Sequence, residues 1–597
     1  MLSLSPTCHG AAHAVGRPSF GNRRFLRALV LMALLALPAA AFGGQTGQAD
    51  QTAGAAVQDA ALTQTGQSAT TFDTPLAVLW KFTGEAVALN HAAPIVAGDT
   101  VFLSSGGRVY AVDLNTGGLR WRYPDLDPLP ALVTGSPIYS NGVLYFGAGD
   151  GLYALNASDG KETWVPFRLT RAGVYTSPKL VGNNIYFAAD NGRFYGVDAR
   201  TGKLLGGVWG NTAHPGIPIG GDIVSDFAID ENNTMYYVTA DQVLHAIDLA
   251  TGVQKWSQRL DMDVTNAQPV ILGDTIYLAA SNTLSTYRTR SGYRVWTLPL
   301  PNEAATPPAV SADGTSYVPT TDGFIYAVNS RGRGLWRQPP QLANAIMAQP
   351  LIAGNNLVVG TARGGVYVFN LATGGLKWNY VVLPSSINPN EVPLDANVAA
   401  HPFAANNTLY VLTDDGTLTA FRHDAPDTLA PEITVQEPQE GDHINGFPPV
   451  TIAARIVDEG SGLNLDTLRF QLDDTVIPRQ RGSLSDVLDP NIKPGYTYTS
   501  ETGVVSYSTQ ESAAGAEMVG LSDGLHRATI TVRDWMGNEA TKTWLFFVDN
   551  SLPRRAPKTN SNNGINGPGG AGGPGFGGGG GGKGGGGGGG NGAGGAG

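Results

Sequence analysis

Asp458, Glu459, Asp473 and Asp534 bring four carboxylates into one stretch of the chain, and clustered hard oxygens are what a calcium ion takes. Their spacing matches no EF-hand loop, so calcium here rests on residue type rather than on a motif. Other reactive types are thinly spread. Nine His over 597 residues form no metal-ligand spacing, and neither His-Glu-x-x-His nor Gly-x-Ser-x-Gly occurs. Gly160-Lys161 and Gly202-Lys203 lack the Ser or Thr that follows the Lys of a phosphate-binding loop, and read as hairpin turns. The single Cys, Cys8, excludes a disulfide framework, a Cys-ligated zinc site and haem attachment. These residues point to no catalytic group.

Charge narrows the partners. Residues 42–550 hold 30 basic against 49 acidic side chains, while Arg17, Arg23, Arg24 and Arg27 precede them and Arg554, Arg555, Lys558 and Lys583 follow. An acidic body speaks against a nucleic-acid partner, whose phosphates need clustered Lys and Arg. Residues 1–41 read as a signal peptide, with a basic start, an apolar core from Ala28 to Leu37 and small residues at Ala39-Ala40-Ala41. That core is shorter than the ~20 residues of a membrane span. The chain is expected to be exported, to the periplasm, the cell surface or the medium, and not to be an integral membrane protein. Residues 42–75, rich in Gln, Ala, Thr and Gly, are expected to be a flexible lead-in. Residues 551–597 are expected to be a disordered tail, since 24 of the 34 residues from 564 onward are Gly, without a three-residue period.

What must position any site is a repeat. Trp80, Trp121, Trp164, Trp209, Trp256, Trp296, Trp336 and Trp378 follow one another at intervals of 40 to 47 residues. Most end a phrase of the form Ala-x-Asp/Asn-x-x-Thr-Gly-x-x-x-Trp, as in Ala111 to Trp121 and Ala246 to Trp256, with Asp113, Asp198 and Asp248 at the acidic position. Two more short apolar runs precede each phrase, with Gly, Asn and Asp turns between them. Four short strands per ~42 residues is one propeller blade. The repeats show no 3.6-residue apolar stripe, which excludes a helical solenoid. The last phrase, Leu418 to Arg422, has no Trp after it, whereas Trp80 stands before the first complete unit. A strand at Val78 to Phe82 that completed the last blade would close an eight-bladed ring over 76–424 and remove its free edges.

The phrase resembles the tryptophan-docking repeat of the pyrroloquinoline-quinone (PQQ) propeller family, which includes quinoprotein dehydrogenases and BamB-like assembly factors. Three units depart from it: Thr286 and Arg288 replace Ala and Asp in the fifth, Trp209 comes late in the third, and Trp336 comes one residue early in the sixth. The resemblance implies that the eight Trp are blade-docking, structural residues. Quinoprotein dehydrogenases carry a vicinal Cys pair beside the cofactor, and this chain has none. No cofactor is expected on that ground, and PQQ or calcium stays as the alternative.

Most inner strands begin at a Pro, and the residue before it is expected to line the central funnel or a ligand there: Ser136, Ser177, Gln268, Gln349, His401 and, in the divergent fourth blade, Asp226. Small polar side chains at these places suit a water-filled channel. The longest connections, 165–176, 210–225 and 381–400, join outer to inner strands and emerge on one face, with Arg168, Arg171, His214, Asn390 and Glu391 on it. Elaborated loops on a rigid scaffold are where binding sits.

After a linker at 425–431, residues 432–550 alternate as short strands between Pro, Gly and Asp turns and suggest an immunoglobulin-like β-sandwich. The runs Asp458-Glu459-Gly460-Ser461-Gly462-Leu463 and Asp534-Trp535-Met536-Gly537-Asn538 resemble bacterial immunoglobulin-like surface modules. Trp535 and Trp544 are expected in its core or turns. The whole reads as an exported, non-enzymatic binding scaffold of the cell envelope, with an envelope or surface protein or a polymer as partner. The alternative is a PQQ-binding enzyme or sensor without the Cys pair.

Overall fold

Short strands separated by Gly and Asp turns build the propeller. The computed structural model describes residues 65–553 apart from 69, 86–91, 130, 134, 170–171, 175, 211–214, 224, 265–266, 383–395, 481–494, 501 and 510–519. The signal peptide, residues 42–64 of the lead-in and the Gly-rich tail from 554 lie outside the described residues. The first complete sheet shows the logic. Ile95–Ala97, Thr100–Ser105, Arg108–Asp113 and Leu119–Tyr123 pair in that order, antiparallel throughout. The third strand ends in an Asp whose Oδ1 accepts the N–H groups of Asn115 and Thr116 and the Thr116 hydroxyl, each at 3.0 Å. This Asx-type turn reverses the chain. Arg120 donates to Asp113 Oδ2 at 2.6 Å and holds that carboxyl down at about 2. The repeat's Ala and Trp face one another across the last pair, as Ala111 opposite Trp121 and Ala246 opposite Trp256.

Seven further sheets follow the same plan through Arg422 among the described residues. The strand Ala77–Thr83 pairs antiparallel with Thr417–Arg422, and Trp80 stands opposite Ala420 as Trp121, Trp256, Trp296 and Trp378 stand opposite Ala111, Ala246, Thr286 and Val368. The first strand of the repeat therefore completes the last sheet. The sixth sheet has three strands, Ala309–Val310, Ser316–Pro319 and Ile325–Val328. The third takes its outer strand from Ile217–Pro218, and Trp209 sits in a single 3-10 turn, Gly207–Trp209. The late Trp of that repeat is thus off the ladder, yet 4% exposed.

The lead-in departs from expectation. Thr65–Ser68 and 70–75 are placed, Thr65, Ser68 and Phe72 are buried, and Gln67–Ser68 joins the seventh sheet as a fifth strand. A stretch of small residues, flexible by composition, is held once a strand edge takes its backbone hydrogen bonds.

Past residue 431 two sheets pack around Ile452, Phe470, Trp544 and Phe546. One contains Glu432–Glu437, Thr451–Val457, Val504–Ser508 and Thr497–Thr499; the other contains His443–Ile444, Glu539–Val548, Gly524–Asp534, Leu463–Leu472 and Thr475–Ile477. The protein is all-β, and no helix of the described residues is long and apolar enough to cross a membrane.

Candidate functional site

Each docking Trp closes one sheet against the next. The indole N–H of Trp80 donates to Leu114 O at 2.9 Å, Trp121 to Ala157 O at 2.9 Å, Trp164 to Ala199 O at 3.1 Å and Trp209 to Leu249 O at 3.0 Å. Trp256 and Trp296 reach Thr289 O and Ser330 O in the same way. The ring lies on the Thr-Gly turn of the neighbouring sheet. A Cβ on Gly160, at φ +70°, would come within 2.7 Å of Trp121. Asp198 and Asp248 hold their turns as Asp113 does, each accepting from the Thr three residues on. Trp336 still packs on Tyr317, with ring centroids 5.5 Å apart, but its N–H has no partner among the described residues, and the Leu371 carbonyl accepts from the Tyr317 hydroxyl.

Trp378 breaks the series in a different way. No following repeat supplies a carbonyl, and its N–H donates at 2.9 Å to Ser461 O in the sandwich. The same loop receives Tyr380 OH on Glu459 O at 3.0 Å and the Val78 N–H on Gly460 O at 3.0 Å. Trp535 packs against the propeller's apolar cluster around Trp378, Tyr380 and Phe421, while Trp544 is buried in the sandwich core. The run 458–463, whose acids are the alternative calcium ligands, therefore serves first as the last docking turn. A cavity of about 290 Å³ opens beside this seam, lined by Tyr367, Asn379 and Val381 of the propeller and Asp458, Arg479 and Tyr498 of the sandwich.

Of the four acids expected to cluster, the fold joins Asp458 and Asp534 and adds Asp427 from the linker, with carboxylate oxygens within 4.8 Å of one another. Three carboxylates form a hard-oxygen set of the kind that holds calcium. Burial, with the like charges of Asp427 and Asp534 added, pushes Asp458 up to about 6, against a 2.6 Å hydrogen bond from the Gly462 N–H. Asp534 accepts from Gly537 and Asn538. Asp473 lies apart, accepting from the Arg527 N–H and paired with His526, because it follows the far end of Leu463–Leu472, a ten-residue strand that starts beside the seam. Glu459 accepts the Tyr380 hydroxyl at its backbone carbonyl, and its carboxylate is not part of the three-acid cluster. Asp427, within Ala425-Pro426-Asp427, was readable only as a turn residue.

The six residues expected to line the funnel are each at most 3% exposed. They do not face open water. Side chain joins backbone from sheet to sheet instead: Ser136 Oγ accepts the Ala93 N–H at 2.9 Å, Ser177 Oγ accepts the Ser136 N–H at 3.1 Å, and Gln349 donates to Pro308 O at 2.8 Å. His401 donates Nδ1–H to Gln349 O at 2.8 Å, and burial lowers it to about 4, so it is neutral at pH 7. Both amide atoms of Gln268 have no partner among the described residues. Asp226 meets Lys179 at 3.1 Å with both side chains buried; burial drives the carboxyl up and the ammonium down, and each charge opposes the other's shift. Lys179 was missed. It occupies the position after the Pro where Ile95, Ile138, Val270, Leu351 and Phe403 stand in other repeats, and that departure in one column was the available signal. Gln349 Oε1 and His401 Nε2, like the Gln268 amide, are buried without a partner among the described residues, so this column is closed to water but not fully bonded.

The loop face is partly placed. Arg168 donates to Tyr153 OH at 2.7 Å and lies over that ring, 5.0 Å from its centroid. Arg171, His214, Asn390 and Glu391 lie outside the described residues.

Comparison with known proteins agrees with this geometry. The family model described as outer membrane protein assembly factor BamB matches residues 66–239, 170–304 and 206–339. BamB of Burkholderia pseudomallei is 25% identical over 345 residues, spanning 55% of this chain and 84% of that protein. Tetrathionate hydrolase of Acidithiobacillus ferrooxidans is 25% identical over 288 residues, 40% of this chain and 55% of that protein. The crystal structure of BamB from Moraxella catarrhalis aligns with a TM-score of 0.45 at 21% identity, covering 59% of this chain and 99% of that one. The chain thus carries a PQQ-type repeat on a β-propeller, and across that propeller it is similar to the assembly factor BamB.

Proposed function

We propose that this chain is an exported, non-enzymatic binding scaffold of the cell envelope, with the propeller as docking platform for an envelope or surface protein or a polymer. The observation that carries the reading is the match to BamB over 345 residues, which takes in 84% of that assembly factor. In this reading the eight sheets of 67–422 are eight blades, the two later sheets are an immunoglobulin-like domain over 432–550, and residues 1–41 direct export. Periplasm, cell surface and medium are the places open to it. Docking is also supported by Ser136, Ser177, Gln349 and His401, whose side chains at the inner-strand starts bond to the backbone of neighbouring sheets. A rigid ring with its variable segments on the connecting loops is a platform for partners.

The second reading, an enzyme or sensor using PQQ on the same propeller, draws on the match to tetrathionate hydrolase, an enzyme. Ultraviolet-visible titration of the purified full chain with PQQ, with and without calcium, separates the two. The scaffold reading expects no saturable spectral change at micromolar PQQ. Tight, stoichiometric binding would overturn it.

A further inference from the structure

The fifth strand of the seventh sheet carries more than closure. Gln67–Ser68 runs parallel to Leu351–Ala353, with Gln67 opposite Ile352 and Ser68 opposite Ala353. Leu351–Ala353 is the innermost strand of its sheet, so the added segment lies on the edge that faces the propeller axis. The Ile352 N–H donates to Gly66 O and the Val310 N–H to Thr65 O, both at 2.8 Å, while the Ser68 hydroxyl donates to Ala404 O at 3.3 Å. One tetrapeptide thereby bridges the inner strands of three consecutive sheets. Thr65, Gly66 and Ser68 are buried and Gln67 is half-buried. Gly66 sits at φ +68°, and a Cβ there would stand 2.7 Å from Pro350 O. The groove therefore accepts an extended segment with a small residue, a Gly, a tolerant position and a small residue in that order. Backbone pairing supplies the affinity of such a site and alternate side chains supply its selectivity.

That order occurs twice. Gln64-Thr65-Gly66-Gln67-Ser68 is matched by Gln45-Thr46-Gly47-Gln48-Ala49, with Ala in place of Ser at the last buried position. Residues 45–49 lie outside the described residues but inside the chain expected to remain after export. We propose that the axial edge of Leu351–Ala353 is a strand-recognition site for Gln-Thr-Gly-Gln segments, filled by 65–68 and able to take 45–49 as its second occupant. Exchange between the two copies changes how much chain is free ahead of the propeller without altering the ring. Ala49 cannot donate to Ala404 O as Ser68 does, so 65–68 is the preferred occupant. The inference stands apart from the scaffold reading, since it concerns what the chain's own axial edge binds.

Hydrogen exchange on the full chain tests it. In the wild type the Val310 and Ile352 amides exchange slowly. Gly66→Val forces 65–68 out, and 45–49 replaces it, so Ile352 stays within threefold of its wild-type rate. The double variant Gly66→Val with Gly47→Val loses both occupants, and Ile352 exchanges at least tenfold faster. A single variant already as fast as the double would overturn the proposal. Should Gly66→Val fail to fold by circular dichroism, a synthetic peptide of residues 43–51 with a photoreactive group at Gln48 is added to wild-type chain. Cross-links to 351–353 or 403–405 that a Gly47→Val peptide does not give are expected. Equal labelling by both peptides, or none at these strands, would contradict the assignment.

Discussion

Among the described residues Lys179 and Asp226 form the most deeply buried ion pair, 3.1 Å apart. Removing one partner strands the other's charge inside the protein, which typically costs 3–5 kcal/mol, whereas replacing both with apolar residues is far less harmful. Lys179→Met is therefore expected to lose about 3–5 kcal/mol in urea unfolding, and Lys179→Met with Asp226→Leu to recover most of it. His401 and Asp458 give opposite pH slopes. Burial lowers His401 to about 4, so the unfolded chain binds the proton more tightly and stability falls as pH drops from about 6.5 towards about 4. Asp458 is raised to about 6, so the folded chain binds the proton more tightly, and its contribution is greatest at low pH and lost as pH rises through about 6. Asp458→Asn keeps an acceptor for the Gly462 N–H and drops the charge. Thermal melts should find the variant no different from wild type near pH 4 and more stable above pH 7. The reverse order would contradict the placement of Asp458 beside two other acids.

The strand–turn–Trp phrase is the unit that repeats, and its parts have separate jobs. Asp ties the turn, Gly leaves room for the neighbour's indole, and the indole N–H reaches a carbonyl in the next sheet. Gly160→Ala puts a methyl 2.7 Å from Trp121 at a positive φ, whereas Gly142, also at positive φ, has nothing within 4 Å of its place for a Cβ. The first change is expected to cost about 2–3 kcal/mol and the second about 1 kcal/mol, measured by denaturant unfolding. Equal losses would mean that turn strain alone, and not docking, demands the glycine. These units were legible because period and turn chemistry are local: the Trp ladder, the Thr-Gly turns and the pairing of the Trp80 strand with the last phrase all follow from spacing. The axial positions were legible as a column but not as buried. Whether Ser136 or Gln349 meets water depends on how closely the inner strands approach, and no single repeat encodes that. Asp427 escaped because its partners Asp458 and Asp534 meet it only when the sandwich docks.

At the scale of the whole molecule the two halves are not beads on a string. The described residues up to Leu552 fall in one compact unit, and the loop 458–462 receives Trp378, Tyr380 and Val78. Trp378→Phe keeps the ring and removes the N–H. Exchange of the Val78 amide, which donates to Gly460 O, is expected to quicken at least tenfold in that variant, while amides of the second sheet keep their rates. Unchanged Val78 exchange would mean that the sandwich is held by packing alone. The proposed scaffold reading expects partners to meet the connecting loops of this propeller. Cross-linking in the native envelope, followed by purification of the full chain and mass spectrometry of its linked peptides, tests that central claim most directly. Links from the propeller's connecting loops to one recurrent envelope protein or polymer are predicted. A chain that yields no recurrent partner, yet copurifies with a stoichiometric redox cofactor, would contradict it.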